Sequence, residues 1–419
     1  MYRWRVLAER SFDRIMNKEI VIASMPVYEK PAVVIVLYED RRPAEIFVNS
    51  RGKEEILGGI YVGVIEKIQQ NINAAYVRIG KELTAYLPLG EADRAEDFVM
   101  KTKKDAQQKL RAGDELLVQI STDALKTKLP CLTGNLSFPG KYIVLTTRMK
   151  KVSFSRKLDP EDKIRLRKVF TKRMHKDFGI IVRTNAAEAT EEQLKAEYEE
   201  LKEKALEVCT YGPSRTVYSR LLAPLQDWER VIRRCASDEL KRIITDIPDI
   251  YDSICRKKAS MKLSESTKTE LYQDKMLELF RMKSLETLVH KSTSKQVELR
   301  SGGNLVIEET EAFVVIDINS GKYESRRDTE ESRRLINYEA ASMIARQIRL
   351  RQLSGTILVD FINMNDRRWE KELIDHMKKL VIADPVRTTV VDITPLSIME
   401  ITREKKRKSL KEQIRELSN

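Results

Sequence analysis

Two aspartates at the ends of strand-like apolar runs carry the strongest chemical signal in this chain. The first run, Phe313-Val314-Val315-Ile316, leads into Asp317-Ile318-Asn319-Ser320-Gly321. The second, Ile357-Leu358-Val359, leads into Asp360-Phe361-Ile362-Asn363-Met364. β-Branched residues are frequent in both, so each reads as a strand buried on both faces. A carboxylate there costs free energy unless a charge compensates it, and two brought together repel. With no His or Cys ligand nearby, the pair suits a hard, oxygen-seeking ion, Mg²⁺ or Mn²⁺. The alternative is that both aspartates cap their strands or accept backbone hydrogen bonds.

The elements that must position this pair form an alternating pattern. Strands are expected over 304–307, 313–318, 356–361 and 387–392, and helices over about 329–351 and 367–381. This is α/β in character. The helix between the aspartate strands has a start signal in Asp328 as cap and Glu331 three residues on. Leu335, Ile336, Ala340, Met343, Ile344 and Ile348 recur at helical spacing and should face the core. The helix then reads as a crossover that sets the two aspartate strands side by side. Arg346, Arg349 and Arg351 near its end either complement the helix dipole or contact phosphate.

Upstream, β runs at 19–23, 32–37 and 44–48 precede short, closely spaced strands at 61–65, 74–79, 84–87 and 115–120. The latter pattern fits a small five-stranded barrel. A further strand is expected over 141–146. From Asp159 to about Val289 the chain reads as charged and mostly helical, broken at Gly179–Arg183 and Gly212-Pro213. The run Arg403-Glu404-Lys405-Lys406-Arg407-Lys408 reads as a solvated helix face, with an RNA-contacting arm second.

Composition narrows the partner. The 419 residues include 77 Lys+Arg against 64 Asp+Glu, a net charge of +13 that favours a polyanion. That length suits about two to four domains. No apolar run reaches the roughly 18 residues of a membrane span, and the N-terminus lacks the apolar stretch of a secretory signal. Cys131, Cys209, Cys235 and Cys255 are scattered without a CxxC pair, which argues against disulfides and zinc and suits a cytoplasmic protein. His175 and His290 lie in charged helical contexts and read as surface residues.

The stretch SGGNLVIEETEAFVVIDINSGK, followed by NYEAASMIARQIRLRQLSGTILVDFINM, resembles the catalytic domain of the ribonuclease E/G family. GGIYVGVIEKIQQNINAAYVRIGKELTAYLPLGE is similar to the family's S1-type barrel, and PGKYIVL and GIIVRT to its 5′-sensor region. The resemblance implies an α/β and α+β multidomain chain. An RNase H-like scaffold (1–54 and 232–293) would carry an inserted S1-type OB-fold barrel (55–130) and a 5′-sensor region (131–231). A DNase I-like α/β catalytic domain (294–414) would follow.

Carried over by position, Asp317 and Asp360 are implied metal ligands, and Asn319 the companion that orients water or the scissile phosphate. The implied activity is Mg²⁺-dependent endonucleolytic hydrolysis of single-stranded RNA, in processing or decay of ribosomal, transfer or messenger RNA. A preference for a 5′-monophosphate falls to Gly140, Val144, Arg183, Thr184 and Arg387. Base stacking falls to Tyr76 and Tyr86, with Lys128 as a nearby cation. Taken alone, Gly140 reads as a turn glycine and Val144 as a core residue.

Some positions depart from the family pattern. The usual IDM after the second aspartate reads Ile362-Asn363-Met364, KG reads Lys128-Leu129, and an early basic position of the barrel is Ile56. No CPxC zinc-link or small dimerisation domain follows in this sequence, so no zinc and at most a weak homodimer are expected. The departures keep a second reading open, an RNA-binding member of the family with weak or lost cleavage. A third is a scaffold acting through the charged middle, about 190–290.

Overall fold

In the computed structural model, residues 17–418 are described, except 53–54, 91–92, 103–104, 125–127, 149, 172–173, 321–329 and 365. The chain divides into two compact units, one of residues 1–53 and 235–419, the other of residues 54–234 inserted between them.

The first unit begins with three antiparallel strands, β1 (Lys18–Val27), β2 (Lys30–Glu39) and β3 (Arg42–Ser50). Two-residue turns join them. Asp40 and Arg41 in the second have φ of 46° and 63°, the left-handed pair that matches the twist of a tight hairpin. The apolar runs read at 19–23, 32–37 and 44–48 form the centres of these strands.

In the inserted unit, β4 (Ile60–Gln69), β5 (Ala74–Arg78), β6 (Thr84–Pro88), β7 (Glu115–Thr122) and β8 (Cys131–Thr133) pair in the order β4-β5-β6-β8-β7. The sheet closes on itself through antiparallel β4 and β7. Ile65, Val77, Ala85, Leu87 and Val118 fill the interior. Gly63 belongs there because a Cβ would stand 2.6 Å from Val77 Cγ1. A second sheet follows: β9 (Ser137–Pro139), β10 (Ile143–Thr146), β11 (Val152–Phe154) and β12 (Gly179–Val182), ordered β11-β12-β10-β9. The long helix Glu191–Tyr211 packs against it, capped by reciprocal bonds between Thr190 and Gln193. The short strand β13 (Arg220–Leu222) returns to pair with β4.

Back in the first unit, β14 (Leu240–Thr245) adds in parallel to β1, and β15 (Lys268–Leu271) in parallel to β14. The sequence reading treated this region as mostly helical. Both strands are short and charged, and the pairing of β14 with β1 crosses more than 200 residues, so no local pattern marks them.

The final sheet contains β16 (Gln296–Glu298), β17 (Asn304–Glu309), β18 (Phe313–Asn319), β19 (Gly355–Asp360), β20 (Thr388–Ile393) and β21 (Ile398–Arg403), ordered β16-β17-β18-β19-β21-β20. The helices Glu330–Leu350 and Arg367–Val381 cover one face through Ile336, Ala340, Ile344, Leu373 and Met377. The other face is open, and this corrects the expectation of strands buried on both sides. Along β18, Val314, Ile316 and Ile318 are buried, while Phe313, Val315 and Asn319 are exposed. Leu335, expected in the core, is 53% exposed, and Met343 is half-buried. The proposed cap Asp328 lies outside the described residues.

Strand β21 was not anticipated. Arg403, read as part of a solvated helix face, ends this strand with its side chain 3% exposed, and the terminal helix begins at Leu410. Its guanidinium meets Asp384 at 2.7 and 3.1 Å and donates to Leu353 O. Among the described residues, no helix is long and apolar enough to cross a membrane.

Candidate active site

Only one neighbouring pair in the final sheet is parallel, β18 with β19. A parallel pair needs a crossover, which the helix Glu330–Leu350 supplies. Parallel strands also end at the same sheet edge, so residues at their C-terminal ends become neighbours. Asp317 stands directly opposite Asp360 in the register. Neighbouring strands lie ~4.8 Å apart, so the two carboxylates fall within reach of one ion. Asp317 is half-buried and Asp360 exposed, so both open toward solvent instead of being buried as expected.

Asn319, two residues beyond Asp317, lies on the same face and donates from Nδ2 to Asp317 Oδ2 at 3.0 Å. Among the described residues this is the only hydrogen bond of the Asp317 side chain, and the Asp360 carboxylate has none. Two neighbouring carboxylates and an amide form an all-oxygen donor set with little internal compensation of charge. Mg²⁺ fits such a set, because it takes one or two carboxylates and completes its shell with water and phosphate oxygens. The described residues contain no cluster of three or more His, Cys, Asp or Glu that could enclose a metal.

Two supports of this edge were not anticipated. Asn337 on the crossover helix is fully buried, donates to Ile362 O at 2.8 Å and accepts from Ile362 N at 3.1 Å. It thereby pins the loop that follows Asp360. At the start of β17, a Cβ on Gly303 would stand 2.6 Å from Asn319 O, so a side chain there would push against the end of β18. The substituted position Asn363 is exposed in the pinned loop.

In the inserted unit, the structure gathers most of the residues assigned to phosphate sensing. Gly140 turns the chain between β9 and β10, and Arg183 directly follows β12, the antiparallel neighbour of β10. Arg183 Nη1 donates to Gly140 O at 2.7 Å, and its N–H donates to Tyr142 O at 2.8 Å. Thr184 Oγ1 and Ser155 Oγ lie 3.1 Å apart. Val144 is half-buried, on the opposite side of β10 from buried Ile143 and Leu145. Arg387 belongs to the other unit, exposed just before β20.

The buried carboxylate of Glu197, on the helix Glu191–Tyr211, holds the Gly140 turn. It accepts from the N–H groups of Lys141, Tyr142 and Ile143 at 2.6, 2.7 and 3.0 Å. A Cβ on Gly140 would stand 2.6 Å from Glu197 Cδ. Gly140 is therefore required by a protein carboxylate beneath it, beyond the demands of a turn. Sequence offered no sign of this, since Glu197 sits among many solvated acids in EEQLKAEYEELKEK.

On the barrel, Tyr76 and Tyr86 are opposite each other in register, half-buried, with ring centroids 6.2 Å apart at 78°. Lys67, exposed on β4, stands opposite Tyr76 and extends the row by a cation that the sequence reading missed. Lys128 is exposed two residues before Pro130, whose carbonyl accepts from Tyr86 N at 2.8 Å.

The family model described as the Ribonuclease E/G family matches residues 137–406. Ribonuclease G of Salmonella typhimurium is 30% identical over 373 residues, which cover 87% of this chain and 76% of that protein. Ribonuclease E of Synechocystis sp. is 30% identical over 404 residues, covering 95% of this chain and 58% of the relative. Ribonuclease E of Nostoc sp. is 31% identical over 407 residues, covering 95% and 57%.

Proposed function

This chain belongs to the ribonuclease E/G family and is an endoribonuclease; from that premise we propose that it cleaves single-stranded RNA at the Asp317–Asp360 edge in the presence of Mg²⁺. The register of the two carboxylates on the sheet's one parallel pair carries this reading. Asp317 and Asp360 would hold the ion, with Mn²⁺ as a substitute. When bound, Mg²⁺ supplies polarisation of the phosphodiester and a lowered pKa for the attacking water. Asn319 orients Asp317 and, being neutral, offers a hydrogen bond without adding repulsion.

Gly140, Val144, Arg183, Thr184 and Arg387 would favour a substrate with a 5′-monophosphate. Arg183 offers a planar fork, braced by the Gly140 carbonyl, and Thr184 adds a hydroxyl. Tyr76 and Tyr86 would stack bases, with Lys67 and Lys128 contacting phosphates. The cellular role would be cytoplasmic processing or decay of ribosomal, transfer or messenger RNA, by a monomer or weak homodimer.

The sheet order β3-β2-β1-β14-β15, antiparallel strands followed by two parallel ones, supports an RNase H-like scaffold split between 1–54 and 232–293. The closed sheet β4–β8 supports an OB-fold barrel over 55–130. The 5′-sensor region then occupies 131–231 and the DNase I-like domain 294–414. Asn363, an amide where the family has a carboxylate, favours weakened cleavage as the second reading.

The test is cleavage of one single-stranded oligonucleotide bearing either a 5′-monophosphate or a 5′-hydroxyl, with Mg²⁺ or EDTA. The proposal expects Mg²⁺-dependent internal cleavage, faster on the monophosphate. Equal rates on the two substrates would remove the sensor assignment, and cleavage in EDTA would remove the metal.

A further inference from the structure

Within the first unit, the β2–β3 hairpin and the helix Glu330–Leu350 border a cavity of about 480 Å³. That volume falls within the range of about 300–1,000 Å³ typical of small-molecule sites. The charges lining it are unevenly paired. Arg349 meets both oxygens of Glu39 at 3.0 and 2.9 Å and Glu45 at 3.0 Å, so these two carboxylates are committed. Asp40 accepts from Asn17 N at 3.1 Å.

Arg346 and Arg42, which also line the cavity, are left over. The single hydrogen bond of the Arg346 side chain among the described residues runs from Nε to Pro43 O at 3.1 Å. Neither of its Nη groups has a hydrogen-bond partner among the described residues. Arg42 is exposed, and its guanidinium has no hydrogen bond or ion pair among the described residues. Burial first, then Arg42 and Arg300, hold the Arg346 guanidinium below the ordinary arginine range against the opposing pull of Glu39. A half-buried cation facing two more cations is an unfavourable arrangement that a bound anion would relieve.

We propose that this cavity is a second phosphate-binding site, with Arg346 and Arg42 as its gripping residues. Free guanidinium forks match the paired oxygens of a phosphate, and the volume exceeds that of the bare anion. The ligand is therefore a phosphate carried by a larger group, either a nucleotide-sized molecule or an RNA strand. Neither arginine belongs to the aspartate edge or to the 5′-sensor set.

The test is isothermal titration of the full chain at low ionic strength with inorganic phosphate, AMP and a 5′-hydroxyl oligonucleotide. Wild type is compared with Arg42→Ala, Arg346→Gln and Arg183→Ala. Arg42 is exposed and unbonded among the described residues, so its variant keeps the test readable if Arg346→Gln folds poorly. The expected result is saturable binding of at least one ligand, weakened about tenfold or more by Arg42→Ala and by Arg346→Gln, and unchanged by Arg183→Ala. Binding of AMP or phosphate identifies a small-molecule site, and binding of the oligonucleotide alone identifies an RNA backbone contact. No binding by any of the three, or equal affinity in Arg42→Ala and wild type, overturns the proposal.

Discussion

At the scale of single residues, the placement of polar groups was legible where residue type marked a strand end, and illegible where it relied on burial. Asp317, Asn319 and Asp360 stand out because polar residues interrupt apolar runs. Glu197 and Asn337 do not, because a carboxylate or amide inside a charged helix has the same local pattern whether it faces water or holds a loop. The three N–H groups gathered by Glu197 make a direct prediction. Glu197→Gln replaces one acceptor oxygen by a donor, facing an N–H that then lacks a partner. The change should cost about 1–3 kcal/mol of stability and loosen the Gly140 turn. Thermal melts should show the loss. The ratio of cleavage rates on 5′-monophosphate and 5′-hydroxyl RNA should fall toward one. An unchanged ratio with the loss of stability would mean that the turn serves the fold alone.

At the scale of elements, strands β17 to β20 and the helix Arg367–Val381 matched their expected bounds to within one or two residues, because their apolar runs have clear ends. Strand β21 escaped notice because its sequence, IMEITR, runs directly into basic residues, although it forms a hairpin with β20 and pairs on its other side with β19. Gly303→Ala tests how β17 positions β18. Its Cβ would press on Asn319 O at 2.6 Å, displacing the amide that orients Asp317. Cleavage should fall about 10- to 100-fold, as for loss of a residue that orients a metal ligand, with RNA affinity retained. A fully active variant would contradict the positional argument.

The buried pair of Asp384 and Arg403 ties the chain before β20 to the end of β21. Burial, the largest influence, pushes the Asp384 carboxyl up, but Arg403, Val386 N–H and Thr388 Oγ outweigh it and hold the carboxyl below its ordinary value. Its stabilising contribution is therefore complete above the unfolded carboxyl pKa, about 3.9, and is lost as pH falls through the lower folded value. Asp384→Asn should cost about 3–5 kcal/mol near neutral pH, since it leaves Arg403 buried without its charge partner. In melts from pH 7 down to pH 3, the gap between variant and wild type should narrow below about pH 4. A gap independent of pH would rule out the ionised pair as its source.

At the scale of the whole molecule, the barrel was readable from its short, even strands. The interruption of one sheet by a whole inserted unit was legible only through the family resemblance, because the β1–β14 pairing has no local signature. The charge of +13 makes a global prediction. Affinity for single-stranded RNA should fall steeply with salt, as counterion release requires. Tyr76→Ala should weaken binding by about 1–3 kcal/mol at every salt concentration without changing the slope, because stacking releases no counterions. A changed slope would place Tyr76 among the determinants of phosphate contact instead. The account rests most heavily on the carboxylate pair at the edge of β18 and β19. The most direct test is the single-turnover cleavage rate of single-stranded RNA across a Mg²⁺ titration, for wild type, Asp317→Asn and Asp360→Asn, with RNA binding measured in parallel. Each variant should bind RNA as wild type does and cleave it more than about a hundredfold more slowly at low Mg²⁺, exceeding the loss expected from an outer-shell residue. A variant that cleaves at the wild-type rate with the wild-type Mg²⁺ dependence would contradict the assignment of the pair as the metal-binding centre.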